Sequence, residues 1–494
     1  MKVHFVSLGC PKNRVDAEHM LGLTVAGGHT IVESAEEADA IVVNTCSFIG
    51  EAKKESIEAI LEMGQIKGRT GAKLVVSGCM AQRYIGELES ELPEVDAFLG
   101  TSDYTQIGEV LAPVKKRRGV LPILPDDVEV LAASSQRNFV TSDLTFVAGC
   151  DIPRINSMPR YTAYLKIAEG CDNTCAFCII PKLRGKQRSR PIADLVKEAT
   201  LLAKGGVVEL NLIAQDLTGY GHDLPLGSSG VEGKRPTLAE LIEALSHVDG
   251  LRWVRCMYAY PRTLSDELLH MLDAGAHVLP YLDIPTQHGS DRMLRRMRRG
   301  KDQKRLSEML VDVRARVRNA VLRSTVIVGF PGEDDDDFDK LVSFAEAVRF
   351  ERLGVFKYSD EEGTSAHELD GKLPFAIKRA RYDKLMRRQH KIHEQKMKAL
   401  VGSVHEAIVE GASEEHELLV KGRLWSQAPE IDGLTYLSSH RALSVGEIVH
   451  VLVTDAKDYD VVAEVLDDSD PRIAGSAPFK CRDGQARDTG AVAA

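Results

Sequence analysis

Over roughly the first 115 residues, short apolar runs alternate with longer stretches of helical spacing. VHFVSL (3–8), AIVVNT (40–45) and KLVVSG (73–78) are too short and too β-branched for buried helices and read as strands. Between them, VDAEHMLGLTVAG and EAKKESIEAILEMG carry helical periodicity and stop at glycine. Strands alternating with helices predict a doubly wound parallel α/β domain over residues 1–115. Residues 116–156 break the rhythm with prolines, basic residues and a polar SSQRN, and read as a linker. A second alternation fills 157–397, with strand candidates AYLKIA, VVELNLI, LRWVRCMY, HVLPYLDI, AVLRSTVIV and RLGVFKY. An eight-stranded barrel takes roughly 250 residues. Six strands in a shorter span predict an open, partial (β/α)6 barrel instead. EDDDDFD (333–339) reads as a helix start, because acids favour the positive end of a helix dipole. A charged helix over about 374–400 precedes short β-type runs in 398–468, which predict a small antiparallel, OB-like β-barrel. The Asp-, Gly- and Ala-rich stretch 469–494 reads as a disordered tail.

Composition narrows the class without changing that picture. With 44% hydrophobic and 28% charged residues in 494, the chain can bury several cores. No apolar run is long enough to cross a membrane, and MKVHFVSLGC lacks a secretory h-region, so a cytoplasmic protein is expected. Nine cysteines in so large a chain point to metal or redox chemistry rather than a disulfide framework.

Three of them, Cys171, Cys175 and Cys178, crowd the loop GCDNTCAFC that follows the first barrel strand. Zinc sites close a tetrahedron by pairing two cysteine knuckles, and no second knuckle lies downstream. A four-iron cluster can instead be held by three thiolates, which leaves one iron open for another ligand. Cys10, Cys46 and Cys79 share no local motif, yet each closes one of the N-terminal strands: VSLGC, VVNTC and VVSGC. Ends of parallel strands share one sheet edge, so the three thiols are expected to converge there as a second incomplete cage.

The C-x₃-C-x₂-C spacing, with Phe177 just before the last cysteine, resembles the radical S-adenosylmethionine (SAM) signature. Two cysteine triads, a SAM barrel and a terminal β domain together resemble the methylthiotransferases over nearly the whole chain, to about residue 468. That resemblance implies two 4Fe–4S clusters: an auxiliary one on Cys10, Cys46 and Cys79, and a radical-generating one on Cys171, Cys175 and Cys178. It also implies a C-terminal TRAM domain and two uses of SAM, as methyl donor and as radical source. Gln215 and Asp216, in AQDLTGYG at the end of the second barrel strand, and Phe177 are the implied SAM contacts, with a helix-capping role for Asp216 as the alternative. An electron donor such as a flavodoxin-like reductant is implied as a partner.

Within the family, SLGCPKNRVDAE, CAFCIIPKLRG and PYLDIPTQHGSD are similar to the RimO group, which modifies the β-carbon of an aspartate in ribosomal protein S-12. The alternative is the MiaB group, which modifies an adenosine of tRNA. Charge separates the two. Residues 398–470 hold five Lys or Arg against fifteen Asp or Glu, and that balance of −10 equals the charge of the whole chain. Nucleic acid is bound through cations on phosphate. An acidic β domain therefore disfavours tRNA and favours docking of a basic ribosomal protein. Two basic stretches, 295–305 and 378–391, could touch RNA, but read better as solvated helix faces laced with salt bridges. Arg184 and Arg188 are expected at the surface or against a carboxylate, His288 as hydrogen-bonded structure, and Cys150, Cys256 and Cys481 as structural or free thiols.

Overall fold

The computed structural model describes residues 1–112, 137–228, 230–261, 264–274, 278–300, 303–413 and 419–475. The first sheet contains β1 (Lys2–Ser7), β2 (Thr30–Ile31), β3 (Ala40–Thr45), β4 (Lys73–Gly78), β5 (Ala97–Leu99) and β6 (Asn138–Phe139). All are parallel, in the order β2-β1-β3-β4-β5-β6. Period-two alternation sends Ile41, Val43, Leu74 and Val76 to one face, against α2 (Gly50–Thr70) and α3 (Cys79–Glu91). Ala40, Val42 and Val75 face the other side, under α1 (Pro11–Ala26). The sheet is thus doubly wound, as expected. Residues 137–156, read above as linker, add β6 and then run beside α1, where Arg154 pairs with Glu18 at 2.6 Å. Residues 113–136 and the tail 476–494, Cys481 included, lie outside the described residues.

The second sheet contains β7 (Thr162–Lys166), β10 (Glu209–Ile213), β11 (Trp253–Cys256), β12 (Val278–Asp283), β13 (Val321–Val328) and β14 (Arg352–Lys357). A short hairpin, β8 (Ala168–Glu169) with β9 (Arg188–Ser189), carries the cysteine loop between its strands. The six long strands are parallel, in the order β14-β13-β12-β11-β10-β7, and the edge strands do not pair, so the barrel is open. Outward residues such as Leu210, Val254 and Leu282 join one core under the helices. Inward residues include Tyr164, Trp253 and Tyr281, mixed with buried Glu209, Asn211 and Arg255. An interior this polar must be satisfied by something. The expected acidic helix start is present: Asp334 and Asp337 form a capping box ahead of Asp335–Val348.

The third unit supplies much of that satisfaction. It is a closed barrel, β15 (Val404–Ala412), β16 (Val420–Leu424), β17 (Thr435–Ser438), β18 (Ile448–Lys457) and β19 (Asp460–Val465), in the order β15-β16-β17-β19-β18. Its pairs are antiparallel except β17–β19, which is parallel. It seats against the amino ends of the strands of the open barrel. Arg423 forks onto Glu209 at 2.6 and 3.2 Å, Glu406 accepts from the Trp253 indole at 3.1 Å, and Asp432 accepts from Tyr281 at 2.8 Å. Several of the acids counted above are therefore consumed internally. Glu430 pairs with Arg14 of α1, Asp432 with Arg323, Glu410 with Arg423 and Glu447 with Arg441. Asp455, Asp458, Asp467 and Asp468 stay exposed.

Burial alone would raise the Glu209 carboxyl, but Arg423 and Arg255 outweigh it and hold the group at about 2 instead of 4.5. A depressed carboxyl stabilises the fold above its unfolded value and loses that contribution as pH falls through the folded one. Glu209→Gln should therefore be less stable than wild type at neutral pH by on the order of 3 kcal/mol. The gap should narrow as pH drops from 4.5 towards 2, read as urea midpoints across that window. A gap independent of pH would show that Glu209 is not the linked group.

Candidate functional site

Cys10, Cys46 and Cys79 follow β1, β3 and β4, which are neighbours in the sheet, so the three thiols leave one edge side by side. Two glycines make the close approach possible. Gly9 and Gly78 hold φ of +93° and +96°, conformations that a Cβ disfavours. A Cβ on Gly9 would stand 2.8 Å from the Cβ of Cys46, and one on Gly78 only 2.5 Å from Asn44 Oδ1. Asn13, in the first turn of α1, ties the edge together by donating to the carbonyls of Leu8 (3.1 Å) and Thr45 (2.8 Å). Burial, reinforced by Cys79 and Cys10, pushes the Cys46 thiol up to about 12.

The second triad lies at the carboxyl edge of the open barrel. Burial likewise pushes Cys178 up to about 12, so without a metal this thiol stays protonated at neutral pH. Donors point at the sulfurs. Asn173 offers its backbone N–H (3.4 Å) and side-chain Nδ2 (3.3 Å) to Cys171, and Arg299 offers Nη1 to Cys175 at 3.6 Å. N–H groups aimed at sulfur suit thiolate ligands of an iron–sulfur cluster and help to set its potential. Among the described residues no group of His, Cys, Asp or Glu is gathered tightly enough to hold a single ion. Thiolates on separate irons of one cluster stand further apart than ligands of one ion do. A cavity of about 800 Å³ opens against the loop, lined by the three cysteines, Lys182, Lys186 and Arg298. Its size suits a nucleoside-sized ligand, and its cations suit one that carries an anion.

A buried charge network joins the two triads. Arg184, from the helix that follows the cysteine loop, reaches into the N-terminal domain. Its Nη1 donates to Asp16 (2.6 Å) and Glu169 (3.2 Å), and its Nη2 to Asn13 Oδ1 (2.6 Å) and Cys79 Sγ (3.5 Å). Lys166 donates to both Asp16 and Glu169. Burial would raise the Glu169 carboxyl, yet Lys166 and Arg184 hold it at about 2. Two cations face two carboxylates, and all four side chains are buried. Arg184 does meet carboxylates, but they belong to this chain, and it is far from the surface position that its sequence context suggests. Half-buried Arg188 donates to the carbonyls of Lys186, Phe146 and Arg184.

The remaining sequence-selected residues sit close by. Asp216 accepts from Asn173 Nδ2 (2.7 Å), Thr218 and Gly219, so it fixes the donor to Cys171. Gln215 donates to Glu169 at 2.5 Å, and its amide oxygen is buried with no hydrogen-bond partner among the described residues. Phe177 packs with Met293, Met297 and Phe330. His288 is buried and accepts from the Ser290 N–H when Nδ1 is unprotonated. Cys256 is core, and Cys150 is half-buried. In 295–305, Arg299 turns inward to Cys175 rather than to solvent; in 378–391, Arg379 and Lys384 are exposed and pair with Asp383 and Asp339 as expected, but Arg381 is buried on Glu333. Asn13, Asp16, Lys166, Glu169 and Asn173 were not singled out from sequence. A lysine inside the apolar run AYLKIA was the one available signal.

Residues 2–100 match the uncharacterized protein family UPF0004, residues 165–345 the radical SAM superfamily, and residues 401–466 the TRAM domain. The ribosomal protein uS12 methylthiotransferase RimO of Myxococcus xanthus is 49% identical over 95% of this chain and 93% of its own length. The protein of the same name from Sorangium cellulosum is 48% identical over 100% of this chain and 95% of its own. Among solved structures, the radical S-adenosylmethionine methyltransferase TsrM from Kitasatospora setae, with cobalamin and a 4Fe–4S cluster bound, shares the fold. It superposes with a TM-score of 0.51 over 74% of this chain and 76% of that one, at 16% identity.

Removing one member of a balanced buried quartet leaves an uncompensated charge, which costs about 3–5 kcal/mol. Arg184→Ala should lower the urea midpoint accordingly with native circular dichroism retained, and Arg184→Lys should restore only part, lacking the fork. A midpoint equal to wild type for the alanine variant would show that the junction does not depend on this residue.

Proposed function

Because the chain belongs to the RimO-type radical SAM methylthiotransferase family, we propose that it adds a methylthio group to the β-carbon of an aspartate in ribosomal protein uS12. Cys171, Cys175 and Cys178 would hold one 4Fe–4S cluster and Cys10, Cys46 and Cys79 a second. When bound, the clusters and SAM supply one-electron chemistry and a transferable methylated sulfur. The observation that carries the reading is Arg184, which follows one cysteine loop in sequence and touches a cysteine of the other triad in space.

The chain's own residues hold, orient and shield. Asn173 and Arg299 at one triad and Arg184 at the other lend N–H groups to sulfur, which stabilises thiolate over thiol. Asp216 keeps Asn173 in place. For SAM, the carboxyl edge offers the unpartnered amide oxygen of Gln215 as an acceptor for an amino group, beside Asp216 and Phe177. Lys182, Lys186 and Arg298 face the cavity where a carboxylate would sit. The exposed acids Asp455, Asp458, Asp467 and Asp468 remain to attract a basic protein, and the reaction is assigned to the cytoplasm, where ribosomes are found.

Anaerobically reconstituted enzyme, supplied with SAM and a one-electron reductant such as a reduced flavodoxin, should methylthiolate uS12 and leave tRNA unmodified, as read by mass spectrometry. Cys171→Ala should lose 5′-deoxyadenosine formation and about half of the iron. Cys79→Ala should lose a similar share of iron and all methylthiolation while still cleaving SAM. Modified tRNA with unmodified uS12 would transfer the reading to the adenosine-modifying group.

A further inference from the structure

Beside the first triad stands a cation that the charge network does not use. Lys12, in the first turn of α1, is 7% exposed. Its ammonium lies 3.0 Å from the centroid of the Tyr258 ring, and among the described residues it has no hydrogen bond or ion pair. The charges that act on it are those of Cys10, Asp283, Glu169 and Arg184. Glu169 and Arg184 are engaged with each other and with Lys166 and Asp16. Asp283 accepts from the Tyr258 N–H at 3.3 Å and lies 3.6 Å from Arg323. An aromatic face offsets only part of the cost of taking an ammonium out of water.

The support beneath Lys12 is itself under constraint. Tyr258 holds φ of +65°, a left-handed conformation rare for an aromatic residue. Such strain persists where the surroundings over-determine it, and often where a ligand is met. Tyr258 follows β11 and Asp283 ends β12, so Lys12 stands over the carboxyl edge of the barrel, two residues from Cys10. An anion arriving there from outside would complete the set.

We propose that Lys12 is a specificity-determining residue whose ammonium pairs with the side-chain carboxylate of the substrate aspartate and so orients its β-carbon at the junction of the two triads. This deepens the functional reading above and rests on it. The other anion expected at the site, the carboxylate of SAM, has its own cations at the cavity beside the cysteine loop, in Lys182, Lys186 and Arg298. An ammonium on a fixed aromatic face suits a single carboxylate oxygen; bidentate recognition would call for arginine.

The test is a two-by-two comparison of affinity on cluster-loaded enzyme. Wild type and Lys12→Gln are titrated with uS12 and with uS12 whose target aspartate is replaced by asparagine. Lys12→Arg is a second variant that keeps the charge. Melting temperature and the visible iron–sulfur absorbance report that each variant is folded and loaded. Loss of a charge-assisted pair should weaken Lys12→Gln for aspartate-bearing uS12 about tenfold or more, with little change for the asparagine form. Lys12→Arg should recover most of the aspartate preference. Equal weakening for both forms, or none for either, overturns the role of Lys12. If the wild type methylthiolates uS12 while that pattern holds, only this inference fails. If the wild type does not modify uS12 at all, the functional reading fails and takes the inference with it.

Discussion

The arrangement of the protein turns on one guanidinium. Arg184 occupies a buried, balanced junction in which its two terminal nitrogens gather partners from three segments: Asp16 and Asn13 from α1, Glu169 from β8 and Cys79 from the start of α3. A planar fork cannot serve these partners from several positions. It therefore fixes the N-terminal sheet edge against the carboxyl edge of the SAM barrel, and with it the relation of the two cysteine triads. The quartet contributes little net stability compared with an apolar plug of the same shape. What it contributes is uniqueness of docking, because a shifted interface would strand charges in the interior.

The other end of the barrel is closed by a second charge device. Arg423 and Asp432 of the TRAM domain enter the polar interior, where Glu209, Arg255, Tyr281 and Arg323 await partners. This leaves the carboxyl edge open for chemistry and makes the amino edge structural, the usual division of labour in parallel barrels. Part of the acidity of the last domain follows from this. A count of charges along the sequence treats Glu410, Glu430 and Asp432 as available to a partner, whereas the fold has already spent them on Arg423, Arg14 and Arg323.

Helix α1 shows why the site was only half legible. A surface helix presents one polar face, but α1 lies between its own sheet and β7, and it buries Lys12, Asn13, Asp16, Glu18, His19 and Thr24. The apolar periodicity therefore begins only at Val15, and the segment PKNR reads as a break although Pro11 is the first residue of the helix. The same sandwiching explains Lys166 and Glu169, charges in strands that the apolar pattern alone would call core. β5, β6 and β17, too short or too polar to show a period, were also invisible to that pattern.

The sequence by itself determined the three architectures and the order of those elements long enough to show a period, and it marked two groups of three cysteines, because strand length, periodicity and cysteine spacing are local properties of the chain. It also carried the family, through short motifs that stand next to those thiols. Only the tertiary structure decided which polar residues become the functional framework. Asn13 and Asp16 of α1 meet Arg184 across 171 and 168 residues of chain, and Asn173 meets Asp216 across 43, so what these residues do depends on burial and on distant partners. A buried charge is defined by the charge opposite it, and for Arg184 the charge of Asp16 lies 168 residues away along the chain.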